Sequence, residues 1–584
     1  MKRSIYIILI LFFFQASSFG QYYLKGEVKD EAGNVLQNVD ILHVSSGYLF
    51  YTGSSGSFGI TSIHKIDTLI FSLEGYQKKK HVVNADNFVT IVLKRALNGK
   101  KVSGFKLSSL TKNLDRETQQ QWFAGDETYA SIIENQFVST DRFPSTGLSL
   151  NVDRASYSNI RRFLNSKSIV PPDAVRIEEM LNYFNFNYTE PANKKTFGIS
   201  TAYTDCPWNP KNHLMFATFK SRKVDLDSLP ASHLVFLIDV SGSMDIPNRL
   251  PLLKAGFRAL VNNLRRKDSV SIVVYGGVVG VMLDVTSGAE KQKIFNVIDS
   301  LEPGGSTPGE SGVKLAYSVA RNHFIKGGNN RVILATDGDF NVGIRSEEEL
   351  EEMIIEQRNS GIYLTCLGVG MGDYKDSKIQ ALAQKGNGNF AYIDSYAEAE
   401  KVLLKEFTQT LYSVADNVYL SVQFNPAYVK EYRLIGFDNK VGAIKDTSAT
   451  VEGREIGSGF SMLVAFEITP VTYRLNEHEI IEPVTFSLQY KLPNDASSYT
   501  LIEKPKIIFK PLLQQEKSHQ FAVSVIQFGS LLKESKFVKE GSWNQVLEMA
   551  TLSADVANPS QKEFLFLVEQ AKNLYGKKRK KRDY

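Results

Sequence analysis

Cysteine is nearly missing: 584 residues contain two, Cys206 and Cys366. That excludes a disulfide framework or a cysteine-rich zinc site. Cys366 sits in the apolar run 362–367 and reads as a core thiol. A Cys206–Cys366 bridge stays open in an oxidising compartment, but nothing in the sequence requires it. The eight histidines are scattered, and there is no His-Glu-x-x-His, no Gly-x-Ser-x-Gly and no Walker loop. The usual signatures of zinc proteases, serine hydrolases and phosphate-cradling loops are therefore absent. Residues 368–373 look superficially like a dinucleotide loop, but the sixth is Asp373, whose charge repels phosphate. After residue 20 no stretch is long and apolar enough to span a bilayer. The net charge is +5, and residues 577–583 alone hold six cationic and one anionic side chain. The rest is near neutral, which excludes nucleic-acid binding as the main role.

What is present is ordinary globular composition, 43% hydrophobic and 22% charged. The length implies several domains, since single cores rarely exceed about 250–300 residues. Residues 1–20 read as a secretory signal peptide: Lys2 and Arg3, the apolar run 5–14, then small Ser18 and Gly20 before a cut near Gly20-Gln21. An uncleaved amino-terminal anchor is the alternative. The mature protein is expected to be exported, to a periplasm or the cell surface. Residues 22–95 read as a small β-sandwich, with strands at 24–28, 39–43, 47–52, 57–60, 68–73 and 88–93. Residues 96–140 are polar and read as a partly disordered linker. Residues 141–196 give a strand at 148–153 and helices at 156–164 and 175–184. Strand patterns at 197–229 and 413–510 suggest one β-sandwich carrying the intervening residues 230–412 as an insertion. Residues 511–575 read as helical. The basic tail 576–584 reads as solvated and disordered, with weak membrane-surface contact as the alternative.

Within 230–412, strand and helix patterns alternate, the mark of a doubly wound, Rossmann-like α/β sheet. The first strand, 233–238, is continuously apolar and stops at Asp239-Val240-Ser241-Gly242-Ser243. A carboxylate and two hydroxyls in alternation at a buried strand's tip are hard ligands suited to a hard dication. A Gly/Pro-rich loop at 303–309 brings Thr307, and a second apolar strand, 331–336, ends at Asp337-Gly338-Asp339. Carboxyl ends of such strands lie on one edge of the sheet, so Asp239 and Asp337 can meet although far apart in sequence.

These three pieces resemble the metal-ion-dependent adhesion site (MIDAS) of von Willebrand factor type A (VWA) domains: D-x-S-x-S, a loop threonine, then an aspartate in a T-D-G-type turn. The resemblance covers about 230–412 and implies a site of Asp239, Ser241, Ser243, Thr307 and Asp337. Ser241 and Ser243 would bind the metal directly, Thr307 directly or through water, and the two aspartates would supply charge, often through waters. Mg2+ is the implied ion, with Mn2+ or Ca2+ as substitutes. Asp245 and Asp339 are extra acids beside it. Two further resemblances apply. Gly-x-Val-x-Asp at 26–30, with Phe71 to Tyr76, is similar to carboxypeptidase-regulatory-like domains, which implies a non-catalytic spacer or docking module. Residues 172–179 and the C-terminal helical segment resemble a family of exported bacterial VWA proteins. Together they imply a non-enzymatic, metal-dependent protein-binding module of the cell envelope, adhesive or scaffolding, whose protein partner presents an acidic side chain. The alternatives are a metal-assisted hydrolase, for which only Asp245 and Asp339 stand near enough to act as base, and an accessory subunit of an envelope transport or channel system.

Overall fold

The computed structural model describes residues 22–95 and 127–582, apart from 38, 54, 74–75, 128, 130–132, 151, 187, 193–194, 226–228, 278, 306–308, 339–346, 371–375, 407–412, 438–453, 472–478, 494, 496 and 539–540. The proposed signal peptide therefore lies outside the described residues. At the front, seven strands form two sheets. One runs Ser57–Ser62, Tyr22–Asp30, Phe88–Leu93; the other runs Leu49–Tyr51, Asp40–His43, Ile66–Ser72, Lys79–Asn84. Alternation sends Leu24, Val28, Leu69 and Phe71 inward. Lys79–Asn84 carries no strand signal in the sequence because it is a sheet edge. Its lysines face outward and only Val83 is buried, the composition that protects an edge from pairing with another chain.

Part of the expected linker is corrected. Glu127 is buried and accepts from Arg162 Nη1 and Nη2 at 2.7 and 2.9 Å. Val138–Ser139 pairs with Val429–Ile435. The described residues of this stretch, 127, 129 and 133–140, are built into the fold; 96–126, 128 and 130–132 lie outside the described residues.

The next unit has two facing sheets. The first is ordered Phe197–Asp205, His213–Ser221, Ser461–Pro470, Val429–Ile435, Val138–Ser139; the second Arg454–Gly457, Ser413–Phe424, Val484–Lys491, Ser498–Glu503. Ser145–Ser149 also pairs with Ser413–Phe424, so the strand expected at 148–153 belongs here and is shifted towards the N-terminus. His213–Ser221, which precedes the α/β region in sequence, pairs with Ser461–Pro470, which follows it. Its nearly unbroken apolar character has a cause. Met215, Ala217 and Phe219 share a core with the opposite sheet, while Leu214 and Phe216 face a helical layer. That layer contains Ala155–Asn165, Ile177–Tyr183, Lys517–Leu532, Trp543–Ser553 and Pro559–Arg582. Phe184, Phe521, Phe528 and Phe564 interlock within it, ring centroids 5.0 to 5.6 Å apart. The last helix continues to Arg582, so the basic run expected as a disordered tail is helical. Among the described residues no helix is long and apolar enough to cross a membrane.

Residues 232–393 form a six-stranded sheet ordered Gly280–Ser287, Ser269–Tyr275, Ser232–Asp239, Asn329–Thr336, Ile362–Val369, Phe390–Ile393. All neighbours are parallel except the edge strand Gly280–Ser287. Leu234, Phe236 and Ile238 bury one face under helix Leu250–Asn262, and Val235 and Leu237 bury the other with helix Gly309–Asn322. Strand order reverses between Ser232–Asp239 and Asn329–Thr336, which opens a crevice at their carboxyl ends. Cys366 and Cys206 are both free and buried in separate cores, and burial pushes both thiols up.

Two buried charge clusters lie between the units. Arg161, 5% exposed, donates to Asp394 at 2.7 Å, Glu398 at 2.7 Å, and Glu563 and the Tyr183 hydroxyl at 3.0 Å each. It joins the helical layer to the end of the α/β sheet. Removing one partner from a buried ion cluster typically costs about 3–5 kcal/mol. Arg161→Ala should lower unfolding free energy by about that amount in urea titrations; a loss below about 1 kcal/mol would show that the cluster holds nothing together. The second cluster lies between the α/β sheet and the second sandwich, where Arg331 sits 3.6 Å from Glu455. Burial pushes the Glu455 carboxyl up to about 7 and the Arg331 guanidinium down, so desolvation outweighs the attraction in both. Because the folded value is raised, the Glu455 contribution is complete below the ordinary carboxylate range and is lost as pH rises through about 7. Glu455→Gln should flatten the fall in urea midpoint between roughly pH 5 and 8; an unchanged pH profile would contradict this assignment.

Candidate metal centre

The crevice is floored by Asp239, the last residue of its strand, 1% exposed. Its two oxygens are used separately. Oδ1 accepts from the Ser241 backbone N–H at 2.9 Å. Oδ2 accepts from the Tyr275 hydroxyl at 3.1 Å and from Thr336 Oγ1 at 3.0 Å. Burial raises the Asp239 carboxyl above its usual range and the neighbouring charge of Asp337 adds to this; the bonds from Ser241 and Thr336 oppose it. A buried, disfavoured anion beside a second carboxylate is an environment that a bound cation relieves.

The first bond aims the turn that follows. Ser241 and Ser243 turn back towards each other, their hydroxyl oxygens 3.0 Å apart, with Ser243 on the exposed rim. Two neighbouring loops hold this turn down. Val240 N–H donates to the Tyr275 carbonyl at 2.7 Å, Gly304 N–H to the Val240 carbonyl at 2.7 Å, and Gly242 N–H to the Gly305 carbonyl at 3.0 Å. The approach is so close that glycine is required. Gly276 has φ +116°, and a Cβ there would lie 2.2 Å from the Ser241 nitrogen; one at Gly305 would lie 2.2 Å from Gly277 Cα.

Asp337 stands across the crevice, 4% exposed, at the end of the adjacent strand. Its Oδ2 accepts from Arg249 Nη1 at 2.6 Å. Gly338, at φ +94°, turns the chain, and its N–H donates to Thr336 Oγ1 at 3.1 Å. Four of the five expected residues, Asp239, Ser241, Ser243 and Asp337, are thus brought to one edge of the sheet. The fifth, Thr307, lies outside the described residues, as does Asp339. On the N-terminal side of Thr307, Gly304 and Gly305 bond to the serine turn; helix Gly309–Asn322 starts two residues after Thr307. Asp245 is exposed.

Sequence reasoning missed Arg249, Tyr275, Thr336 and the Gly276-Gly277 pair. Thr336 adjoins Asp337, and the glycine pair ends an apolar strand, so both had a signal. Nothing in the sequence indicates that Arg249, the residue before helix Leu250–Asn262, folds back over the crevice.

The donor set is carboxylate and hydroxyl oxygen, without thiolate or imidazole, and it fits a hard dication. Among the described residues no three of His, Cys, Asp and Glu cluster in a way that could hold a metal. The fit therefore depends on the serine hydroxyls. With few direct carboxylates, such an ion would keep much of its charge.

Comparison with known proteins agrees with this architecture. Residues 233–409 match the von Willebrand factor type A domain model, 124–216 match a model described as von Willebrand factor, and 409–574 match one described as Uncharacterized protein YfbK, C-terminal. The protein YfbK of Escherichia coli (strain K12) is 36% identical over 471 residues, covering 76% of this chain and 81% of that one. The Magnesium-chelatase 67 kDa subunit of Chlorobaculum parvum (strain DSM 263 / NCIMB 8327) is 25% identical over 29% of each chain. Among solved structures, the von Willebrand factor type A protein from Catenulispora acidiphila is similar with a TM-score of 0.38 at 12% identity, over 63% of this chain and 88% of that one. Von Willebrand factor type A domains are generally protein-interaction modules. The chain belongs to the YfbK family, with a von Willebrand factor type A domain at its centre and the YfbK C-terminal region behind it.

Proposed function

We propose that this protein is a non-enzymatic, divalent-metal-dependent binding module of the bacterial cell envelope, adhesive or scaffolding in role. Asp239, Ser241, Ser243, Thr307 and Asp337 hold Mg2+, for which Mn2+ or Ca2+ can substitute. A carboxylate from a protein partner completes the coordination shell. The observation that carries this reading is the hydroxyl pair of Ser241 and Ser243, 3.0 Å apart on a rim floored by the buried carboxylate of Asp239. The ion would gain little negative charge from such a turn and would stay electrophilic towards an incoming acid. The chain's own contribution is to fix the serine hydroxyls and hold two carboxylates out of water.

The remaining features fit a presenting scaffold. Residues 1–20 are a signal peptide that directs export to the periplasm or cell surface, and 22–95 a carboxypeptidase-regulatory-like spacer. The VWA domain is an insertion in the second β-sandwich, a reading supported by the pairing of His213–Ser221 with Ser461–Pro470. Basic residues near the C-terminus give weak membrane-surface contact.

Asp239→Ala, or Ser241→Ala combined with Ser243→Ala, should abolish Mg2+ binding in calorimetry, by at least about 100-fold in Kd or about 2.7 kcal/mol, while the far-ultraviolet circular dichroism stays that of the wild type. Crosslinking in cells, read by mass spectrometry, should capture an envelope protein with the wild type and not with Asp239→Ala. Retained Mg2+ affinity in both variants would reject the site. Hydrolysis of model esters or peptides by the wild type, lost in Asp239→Ala, would reject the non-enzymatic reading.

A further inference from the structure

The crevice contains a cation of its own. Arg249 is 8% exposed, and its Nη1 donates to Asp337 Oδ2 at 2.6 Å and to the Ser243 carbonyl at 2.7 Å. One guanidinium thus ties the serine turn to the carboxylate across from it. The path of the side chain is built in. Its stem runs over Gly370, at φ +86°, where a Cβ would lie 2.5 Å from Arg249 Nε and 3.2 Å from Cγ and Cδ. The root is fixed as well: Arg249 N–H donates to the Ile246 carbonyl at 2.9 Å, and the Arg249 carbonyl accepts from Leu253 N–H at 3.0 Å. A side chain at 370 would force the Arg249 stem to shift.

An arginine stays protonated under all ordinary conditions, and salt screens a buried charge far less than an exposed one. With Arg249 in place, Asp239 and Asp337 present an incoming dication with one net negative charge instead of two. We infer that Arg249 sets the charge of the metal site: it anchors Asp337 and holds the affinity for a dication below what the two carboxylates alone would give. The bound ion is then left with more positive charge to offer an incoming carboxylate. The inference rests on the metal-site reading above. Loss of charge outweighs loss of positioning when Arg249 is removed, because the serine turn keeps its other ties, Ser241 N–H to Asp239 at 2.9 Å and Gly242 N–H to Gly305 at 3.0 Å.

The test is calorimetric titration of the full chain with MgCl2 and MnCl2, for the wild type, Arg249→Gln, Arg249→Met, Arg249→Lys and Asp239→Ala. Arg249→Met keeps the aliphatic stem over Gly370 and covers the case in which the Gln variant folds poorly. Both neutral variants should bind Mg2+ about tenfold tighter or more, equivalent to about 1.4 kcal/mol. Arg249→Lys, which keeps the charge, should stay within about threefold of the wild type, or about 0.7 kcal/mol. The Mg2+-induced rise in Tm should be larger in the neutral variants than in the wild type. Equal or weaker binding in both neutral variants, or an equal or smaller rise in Tm, overturns the inference and leaves the site itself standing. A wild type that binds neither ion, or an Asp239→Ala variant that binds as the wild type does, overturns the site reading and the inference with it.

Discussion

The hydrogen bond from Ser241 N–H to Asp239 Oδ1, 2.9 Å long, is the contact on which the functional edge of the molecule depends. It couples a fully buried strand end to the exposed serine turn. The other oxygen of the same carboxylate is held by Tyr275 from one neighbouring strand and by Thr336 from the other. Three parallel strands therefore converge on one buried anion. Burial makes that anion costly, and hydrogen bonds from three sides offset only part of the cost. What is left over is a standing demand for positive charge. In the chain alone, Arg249 meets some of it by pairing with Asp337.

The rest of the architecture holds this edge rigid. The α/β sheet is covered on both faces, so its central strands are apolar throughout and their ends are fixed. At the far side of the sheet, Arg161 ties Asp394 and Glu398 to the helical layer. On the opposite edge, the first sandwich docks through Thr61 on the Val281 carbonyl, at 3.0 Å, and through the Tyr51 ring under Lys314. Lys314 lies on helix Gly309–Asn322, which follows directly on the Thr307 loop. The front sandwich and the candidate site thus share one helix.

How much was legible beforehand depended on the kind of signal. The two central strands, Ser232–Asp239 and Asn329–Thr336, carry apolar runs with abrupt polar ends, and those ends name Asp239, Ser241, Ser243 and Asp337 directly. Lys79–Asn84 could not be read, because an edge strand that buries only Val83 looks like any charged loop. Residues 127–140 read as linker because much of what anchors the described ones is polar, although Tyr129 and Val138 also pack against apolar cores. Glu127 and Asn135 are buried by ion pairing and by hydrogen bonding to backbone carbonyls, not by apolar contact. The basic C-terminal run differs from its expectation for another reason: it continues a helix begun at Pro559, and its own composition does not announce that. Arg249 was invisible because its role is set by tertiary geometry, a glycine slot more than a hundred residues away at Gly370.

The most direct test of the central claim is anomalous diffraction at the manganese edge from crystals of the full chain grown with Mn2+. The account predicts a peak within bonding distance of Ser241 Oγ and Ser243 Oγ, with Asp239 and Asp337 facing it, their waters included. Absence of a peak there, with the two serine hydroxyls turned away from Asp337, would contradict it.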